Sequence, residues 1–184
     1  MWSSGHEREL DMSERGDSFD HGDFRRPPPK PKPTTAEGSV VWPVEQPRVG
    51  QSVMTDRNGK GRPHDGLDLF VAAGSVVRAA VAGTVLRVLD GRNASEDEKK
   101  RAGLWIDIGA DNGHVYRYLH LGSANVAKGQ RVTAGSQIGR VADRHESGSG
   151  QAPHLHLEIR AGDWSRGDYG KPLDPLQILK KGIA

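Results

Sequence analysis

The chain lacks cysteine, and this absence removes several kinds of chemistry at once. None of its 184 residues is cysteine, so disulfides, thiolate ligands for zinc and thiol catalysis are all excluded. No run of 18 apolar residues exists either, so a transmembrane helix is not expected. The first 20 residues are polar and mixed in charge, without the apolar stretch of a secretory signal. We therefore expect that the chain reaches its site by another route or was cut from something longer.

Strong charge of one sign is also missing. The formal net charge at pH 7 is only +2, and the chain has none of the motifs by which nucleic-acid-binding proteins are recognised from sequence. We therefore expect no nucleic-acid partner. A strict internal repeat is absent as well, which argues against a solenoid fold.

The N-terminal part of the chain has the composition of a linker. Residues 1–26 show no sustained apolar period, and residues 27–33 read PPPKPKP, a sequence that favours extended polyproline conformation. The prolines could also dock a partner. We predict a disordered, flexible tail and proline-rich linker over residues 1–38 and one folded domain over residues 39–184.

Short alternating segments with regular glycines predict β-strands in the folded domain. The clearest are LWIDIGA (104–110), HVYRYLHL (114–121) and HLHLEIR (154–160). Side chains in such segments point alternately to the two faces of a sheet, and the DNG at 111–113 favours a hairpin turn. The charged stretch 90–103 predicts an exposed loop with a helical turn, and a short helix is predicted after Pro175. We therefore predict a mostly β, two-layer antiparallel sandwich-like fold with short loops.

Two histidines on one predicted strand are the first sign of a functional site. His154 and His156 are two residues apart, so both imidazoles point into one cleft while the leucines beside them anchor the opposite face. His120 adds a further imidazole at the end of another alternating strand. For the HLH segment alone, two polar residues on a solvated face remain an alternative interpretation.

A second segment offers a carboxylate together with another imidazole. His64 and Asp68 lie in HDGLD, where Gly66 and the preceding Pro63 argue against a helix and favour a strand or turn. Histidine and aspartate near glycine are common in loops, so this segment alone is a weak indication. Taken together, the residues supply three zinc ligands and spare imidazoles, as a hydrolytic zinc site with one open position requires.

The order of these segments resembles that of the lysostaphin/LytM-type zinc metallopeptidases. The resemblance covers about residues 60–180, and the linked motifs occur in the family's order. It implies a mostly antiparallel two-layer β fold with the site in a groove between loops, and the peptide part of peptidoglycan as substrate. The matching segments are HDGLD (64–68), GSVVRAAVAGTV (74–85), YLH (118–120), VAKGQRVTAGSQIG (126–139), HLHLE (154–158) and LDP (173–175).

By position, the resemblance implies that His64, Asp68 and His156 bind zinc (Zn²⁺). His120 and His154 are then the two catalytic histidines that do not bind the metal. Two neutral imidazoles and one carboxylate leave the site with net positive charge, which makes bound water a usable nucleophile. Either His120 or His154 could take the proton of the water while the other polarises the scissile carbonyl.

Three further features bear on how a substrate would be handled. By alternation, Tyr118 shares the face of His120, where its hydroxyl could donate a hydrogen bond to the reaction intermediate. The segment VMTDRNGKGRPH (53–64) resembles the family only loosely. The segment ADRHESGSGQAP (142–153) is longer and more polar than the family's loop at this place, so it could reshape substrate access.

Three functions compete for this pattern. The first is a zinc endopeptidase that hydrolyses peptide cross-links of bacterial peptidoglycan, and the presence of all five site residues favours it. The second is a non-catalytic, zinc-containing wall-binding or regulatory module of the same fold. The third is a carrier, but a lipoyl domain needs an exposed lysine on a tight turn, and a phosphocarrier does not need Asp68 beside His64.

The sequence leaves the biological setting open. An enzyme of the first kind acts at the bacterial cell wall, in the periplasm or outside the cell. Without a visible signal peptide, it is phage-borne, secreted by another route or truncated. We expect a monomer, and an inhibitory, immunity or delivery partner would fit these settings.

Overall fold

Ten β-strands and two short helices form the part of the chain that the structure, a computed structural model, describes: residues 39–53, 64–162 and 170–182. The predicted tail and linker over residues 1–38 lie outside these described residues, so the division at residue 39 stays a prediction. In chain order the elements are β1 (Arg48–Val49), β2 (Leu67–Phe70), β3 (Val76–Arg78), β4 (Gly83–Asp90), α1 (Asp97–Ala102), β5 (Leu104–Ala110), β6 (His114–Ala124), β7 (Arg131–Val132), β8 (Gln137–Val141), β9 (His154–Ala161), β10 (Lys171–Leu173) and α2 (Pro175–Lys181).

The strands pair antiparallel throughout the described part of the chain, in the order β1-β2-β9-β6-β5-β4-β7. Strand β10 pairs with the last residues of β9, and a ribbon of β3 and β8 joins the sheet where β8 pairs with β6. The predicted mostly β antiparallel fold is confirmed. The hairpin turn at 111–113, the helical turn within 90–103 and the helix after Pro175 are confirmed as well.

Strand β9 shows how the core positions the candidate site. Leu155, Leu157 and Ile159 are fully buried in the hydrophobic core, and each such side chain contributes about 2 kcal/mol by leaving water. His154 and His156 alternate with them and therefore point to the other face. The buried leucines thus fix the strand that presents the two imidazoles.

Strand β6 is irregular at His120, and this changes one of the predicted faces. His120 has a φ of 65°, in the left-handed region, and the pairing of β6 with β5 shifts in register beside it. Tyr118 pairs with Leu157, and its fully buried hydroxyl accepts a hydrogen bond from the backbone N–H of Ala80 at 2.9 Å. The ring of His120 lies 5.8 Å from that of His156, on the other face. The prediction that Tyr118 shares the face of His120 and reaches the reaction intermediate is therefore wrong.

Helix α2 begins at a capped end that also contacts Ser52. The Oδ1 atom of Asp174 accepts a hydrogen bond from the backbone N–H of Leu176 at 2.9 Å, as an N-cap does. Pro175 suits the first helical position because its φ is already helical. The hydroxyl of Ser52 donates to the same Asp174 oxygen at 3.3 Å. The cap thus ties α2 to residue 52, whose carbonyl contacts His64.

Candidate metal centre

Three ligand atoms converge at the junction of β2 and β9. Asp68 on β2 and His156 on β9 are direct cross-strand partners, and His64 immediately precedes β2. The Oδ1 atom of Asp68 lies 2.8 Å from Nδ1 of His156 and 3.2 Å from Nε2 of His64, and the two nitrogens are 3.1 Å apart. All three residues are buried. The three predicted metal ligands therefore meet in one place, as a site that could hold a metal ion requires.

In each of His64 and His156, one ring nitrogen faces the cluster (the inner nitrogen) and the other faces away from it (the outer nitrogen). The contacts of the outer nitrogens leave the inner nitrogens ready to bind a metal. Nδ1 of His64 lies 3.1 Å from the carbonyl oxygen of Ser52, and Nε2 of His156 lies 3.5 Å from Oε1 of Glu158. A proton held by each outer nitrogen leaves a lone pair on Nε2 of His64 and on Nδ1 of His156. Two imidazoles and one carboxylate are a donor set that suits zinc. The residues present therefore fit that metal.

The pKa shifts of these groups also indicate a site that can bind a metal ion. Burial alone would raise the pKa of the Asp68 carboxyl, but hydrogen bonds with His156 and His64 hold it well below its usual range. Burial disfavours a charged His156, but its contacts with Asp68 and Glu158 raise the pKa of that imidazole. Protons thus bind between these groups, and a metal ion would displace them on binding.

The two remaining histidines stand beside this cluster and are held by one loop. Nδ1 of His120 lies 2.9 Å from the carbonyl oxygen of Ser147, and Nδ1 of His154 lies 2.8 Å from that of Ala152. The two rings are 4.8 Å apart. Each Nδ1–H donates to the loop, so Nε2 is the nitrogen that can accept a proton. The polar segment 142–153 therefore orients both imidazoles.

His120 is kept neutral by its surroundings. Burial and the nearby His156 and His154 together lower its pKa to about 3. At neutral pH its Nε2 therefore carries a lone pair and not a proton. Nε2 of His154 lies 3.7 Å from Oδ1 of Asp68, and the His154 ring lies 5.1 Å from that of Phe70. His154 thus approaches the carboxylate of Asp68, whereas the ring of His120 lies 5.8 Å from that of His156.

The structure brings together all five residues that the sequence singled out and adds residues that it missed. Tyr118 does not join them, because it lies in the core. Among the additions are Ser147 and Ala152, which act through backbone carbonyls and so leave no mark in the side-chain sequence. Glu158 did leave one, since it continues the alternation of the histidines on β9.

Gly66 makes a close approach that the ligand geometry requires. A Cβ at this position would lie 2.5 Å from the carbonyl oxygen of Leu157 and 2.6 Å from Nε2 of His156. We expect Gly66→Ala to lower the free energy of unfolding by about 1–3 kcal/mol and to weaken metal binding, because His156 must move. Zinc titration and chemical denaturation of the purified variant measure the two effects separately.

Gly74→Ala is the matched control for this variant. Gly74 has a φ of 77° in a turn before β3, and a Cβ there meets no atom within 4 Å. Alanine at this position costs about 1 kcal/mol or more through backbone strain alone. Metal affinity equal in the two variants would contradict the steric role assigned to Gly66.

A groove opens beside the cluster where a polar chain could lie. Its volume is about 390 Å³, and it reaches Asp68. The guanidinium of Arg48 lies over the ring of Phe70, 4.3 Å from its centroid, on one wall. The lining residues are Arg48, Val49, Gly50, Gln51, Asp68, Phe70 and Gln151.

Comparison with known proteins places this cluster in a recognised context. Residues 62–175 match the profile of Peptidase family M23. The chain is 30% identical over 155 residues to the cell division protein DipM of Caulobacter vibrioides. This alignment covers 81% of this chain and 23% of DipM. It is 34% identical over 97 residues to the peptidoglycan DD-endopeptidase ShyA of Vibrio cholerae. That alignment covers 53% of this chain and 20% of ShyA. The chain thus spans a quarter or less of these relatives.

A solved structure gives the same result for the fold. The catalytic domain of the antimicrobial peptidase lysostaphin from Staphylococcus simulans superposes with a TM-score of 0.59 at 28% identity. The match covers 73% of this chain and 92% of that domain. All five site residues lie within the segment matched by the family profile.

Proposed function

Because the chain belongs to peptidase family M23, we propose that it is a zinc-dependent endopeptidase that hydrolyses peptide cross-links of bacterial peptidoglycan. The family assignment and the lysostaphin-like fold confirm the resemblance read from the motifs. One observation carries the proposal: three ligand atoms from His64, Asp68 and His156 converge, with two further imidazoles beside them. The name of the peptidoglycan DD-endopeptidase ShyA supports the substrate class, and the description of lysostaphin as an antimicrobial peptidase supports the reaction type.

In this proposal, Nε2 of His64, Oδ1 of Asp68 and Nδ1 of His156 hold the zinc. When bound, zinc supplies a Lewis acid that lowers the pKa of water to about 7 and polarises a carbonyl group. The carboxylate compensates only one of the two positive charges, so the site keeps a net charge of +1.

His120 and His154 are proposed to move the protons. Hydrolysis adds water across the C–N bond, so one proton must leave the water and one must reach the departing amine. Both histidines donate Nδ1–H to a backbone carbonyl, so Nε2 of each can accept a proton and later return it. Their fixed orientation means that no rearrangement of the rings is needed during the reaction.

The groove beside Asp68 is proposed to hold the peptide. Its lining offers the amide side chains of Gln51 and Gln151 and the guanidinium of Arg48, which suit the amides and carboxylates of a peptide chain. The enzyme would act at the cell wall, in the periplasm or outside the cell, and we expect a monomer. Among the described residues, no helix is long and apolar enough to cross a membrane.

Digestion of purified sacculi followed by muropeptide chromatography tests the proposal. We expect cross-linked dimers to decrease and monomers to increase, and a zinc chelator to abolish both changes. The products also identify which bond is cut. The zinc content of the same protein sample, measured by elemental analysis, is the necessary control.

The competing function is a non-catalytic, zinc-containing wall-binding or regulatory module of the same fold; the relative DipM is named for cell division and not for hydrolysis. This function predicts unchanged muropeptides from protein that is folded, contains zinc and binds sacculi. That combination would exclude the peptidase. Protein that is folded but binds no zinc would contradict both functions.

A further inference from the structure

We propose that Glu158 is a positioning residue that directs Nδ1 of His156 toward the metal. The inference rests on the zinc site proposed above. Oε1 of Glu158 lies 3.5 Å from Nε2 of His156, and Nδ1 on the opposite side of that ring faces Asp68 at 2.8 Å. A carboxylate that accepts Nε2–H leaves the lone pair on Nδ1, which fixes the tautomer and increases the basicity of the ligand.

The backbone places Glu158 on the correct face. It lies two residues after His156 on β9, so both side chains point to the same side of the strand. Only 7% of Glu158 is exposed to solvent. Leu157 and Ile159 on either side of it are fully buried in the core. The buried neighbours therefore fix the part of β9 that carries the carboxylate.

Two arginines hold the other oxygen of the same carboxylate. Oε2 of Glu158 accepts from Nε of Arg160 at 2.7 Å and lies 3.4 Å from a terminal nitrogen of Arg117. Because both guanidinium groups contact Oε2, the other oxygen, Oε1, is left to contact His156.

Arg117 belongs to a row of charged residues that crosses four neighbouring strands of the sheet. Glu158 on β9, Arg117 on β6, Asp107 on β5 and Arg87 on β4 are successive cross-strand partners. Nε of Arg117 lies 2.9 Å from Oδ1 of Asp107, and Nε of Arg87 lies 3.1 Å from Oδ2. Asp107 is completely buried. Asp107 thus shares Arg117 with Glu158, whose shorter contact, at 2.7 Å, is with Arg160.

The network also reaches the loop that carries the other histidine ligand. A terminal nitrogen of Arg160 lies 3.2 Å from Oδ2 of Asp65, the residue next to His64. Arg160 thus bridges Glu158 and Asp65, and it connects the surroundings of both histidine ligands. Three carboxylates and three guanidinium groups take part in all, so the network is neutral before the metal binds.

Glu158→Gln tests this role, because it keeps the shape of the side chain and removes its charge. We expect the affinity for zinc, measured at pH 7 by competition with a chromophoric chelator, to fall about 10- to 100-fold. Glu158→Asp is a second variant: it keeps a charge near the arginines but shortens the reach to His156, so it should also weaken zinc binding. Imidazole ¹⁵N spectra of the zinc-loaded proteins report the tautomer of His156.

Asp107→Asn is the matched control, since it removes another buried charge from the same row without contact to His156. A purely structural role of the row predicts that Asp107→Asn and Glu158→Gln both lower the free energy of unfolding and neither changes zinc affinity. The positioning role predicts an effect on zinc affinity for the Glu158 variants alone.

The outcomes separate this inference from the proposed function. Zinc affinity in Glu158→Gln and Glu158→Asp within about threefold of the unmodified protein would overturn the inference and leave the zinc site intact. An equal loss in Asp107→Asn would also overturn it, because the effect would then not be particular to Glu158. Unmodified protein that binds no zinc would overturn the proposed function together with the inference.

Discussion

Asp68→Ala is expected to remove zinc from the protein and to lower kcat/KM on cross-linked muropeptides at least about 10³-fold, or about 4 kcal/mol. Oδ1 of Asp68 lies 2.8 Å from Nδ1 of His156 and 3.2 Å from Nε2 of His64. Without it, the metal loses one of three ligands and the only negative charge among them. Elemental analysis and muropeptide chromatography measure the two losses.

The substitution also separates chemistry from folding. Asp68 is buried, and its charge depends on the two imidazoles; once it is removed, the buried imidazoles can lose their extra proton and stay neutral, so no buried charge is left unpaired. The fold should therefore persist, as circular dichroism can verify. Asp111→Ala is the matched control, because Asp111 forms an exposed ion pair with Arg131 away from the site. Full activity or retained zinc in Asp68→Ala would contradict the assigned ligand set.

The sequence alone predicted the side of β9 on which the histidines lie, because alternation is a local property of a strand. It could not pair β2 with β9 from local pattern. The partnership of Asp68 and His156 spans 88 residues, and it follows from the register of two strands that fold together. Only the resemblance to a known family connected these residues before the structure was available.

The position of His120 shows where the local pattern fails. Strict alternation placed it beside Tyr118, but the left-handed backbone at residue 120 turns the imidazole to the opposite face. Such irregularities often occur beside functional sites, where they redirect a side chain. A non-glycine residue gives no mark of this conformation in the sequence, so the error could not have been avoided by a closer reading of the strand.

Glu158 illustrates an intermediate case. Alternation correctly placed it on the face of His154 and His156, but its partners Arg117 and Arg160 give it a role only through the strand register and side-chain contacts. The carbonyl groups of residues 147 and 152 could not be predicted at all, because any residue can supply them. What the sequence lacked in each case was tertiary pairing, not residue chemistry.

His154→Gln and His120→Gln are each expected to lower kcat about 10²- to 10⁴-fold while zinc is retained. Neither residue is among the three predicted ligands, and glutamine keeps a polar side chain that cannot carry a proton. We expect His154 to take the proton from water, because its Nε2 is 3.7 Å from Oδ1 of Asp68. His120, whose Nδ1–H is held by Ser147, is then left to act on the scissile carbonyl or the departing amine, which requires that its Nε2 first take up a proton.

A substrate with a good leaving group distinguishes these two tasks. An activated ester needs no proton on its leaving group, so a variant that lacks only the proton donor should recover much of its activity on the ester. A variant that lacks the base should remain equally impaired on both substrates.

His114→Gln, at the half-buried start of β6, is the control for loss of a histidine elsewhere in the sheet. Unchanged kcat in either site variant would remove that histidine from the mechanism. Loss of zinc together with activity would instead identify it as a metal ligand, and the set of His64, Asp68 and His156 would then have to be revised.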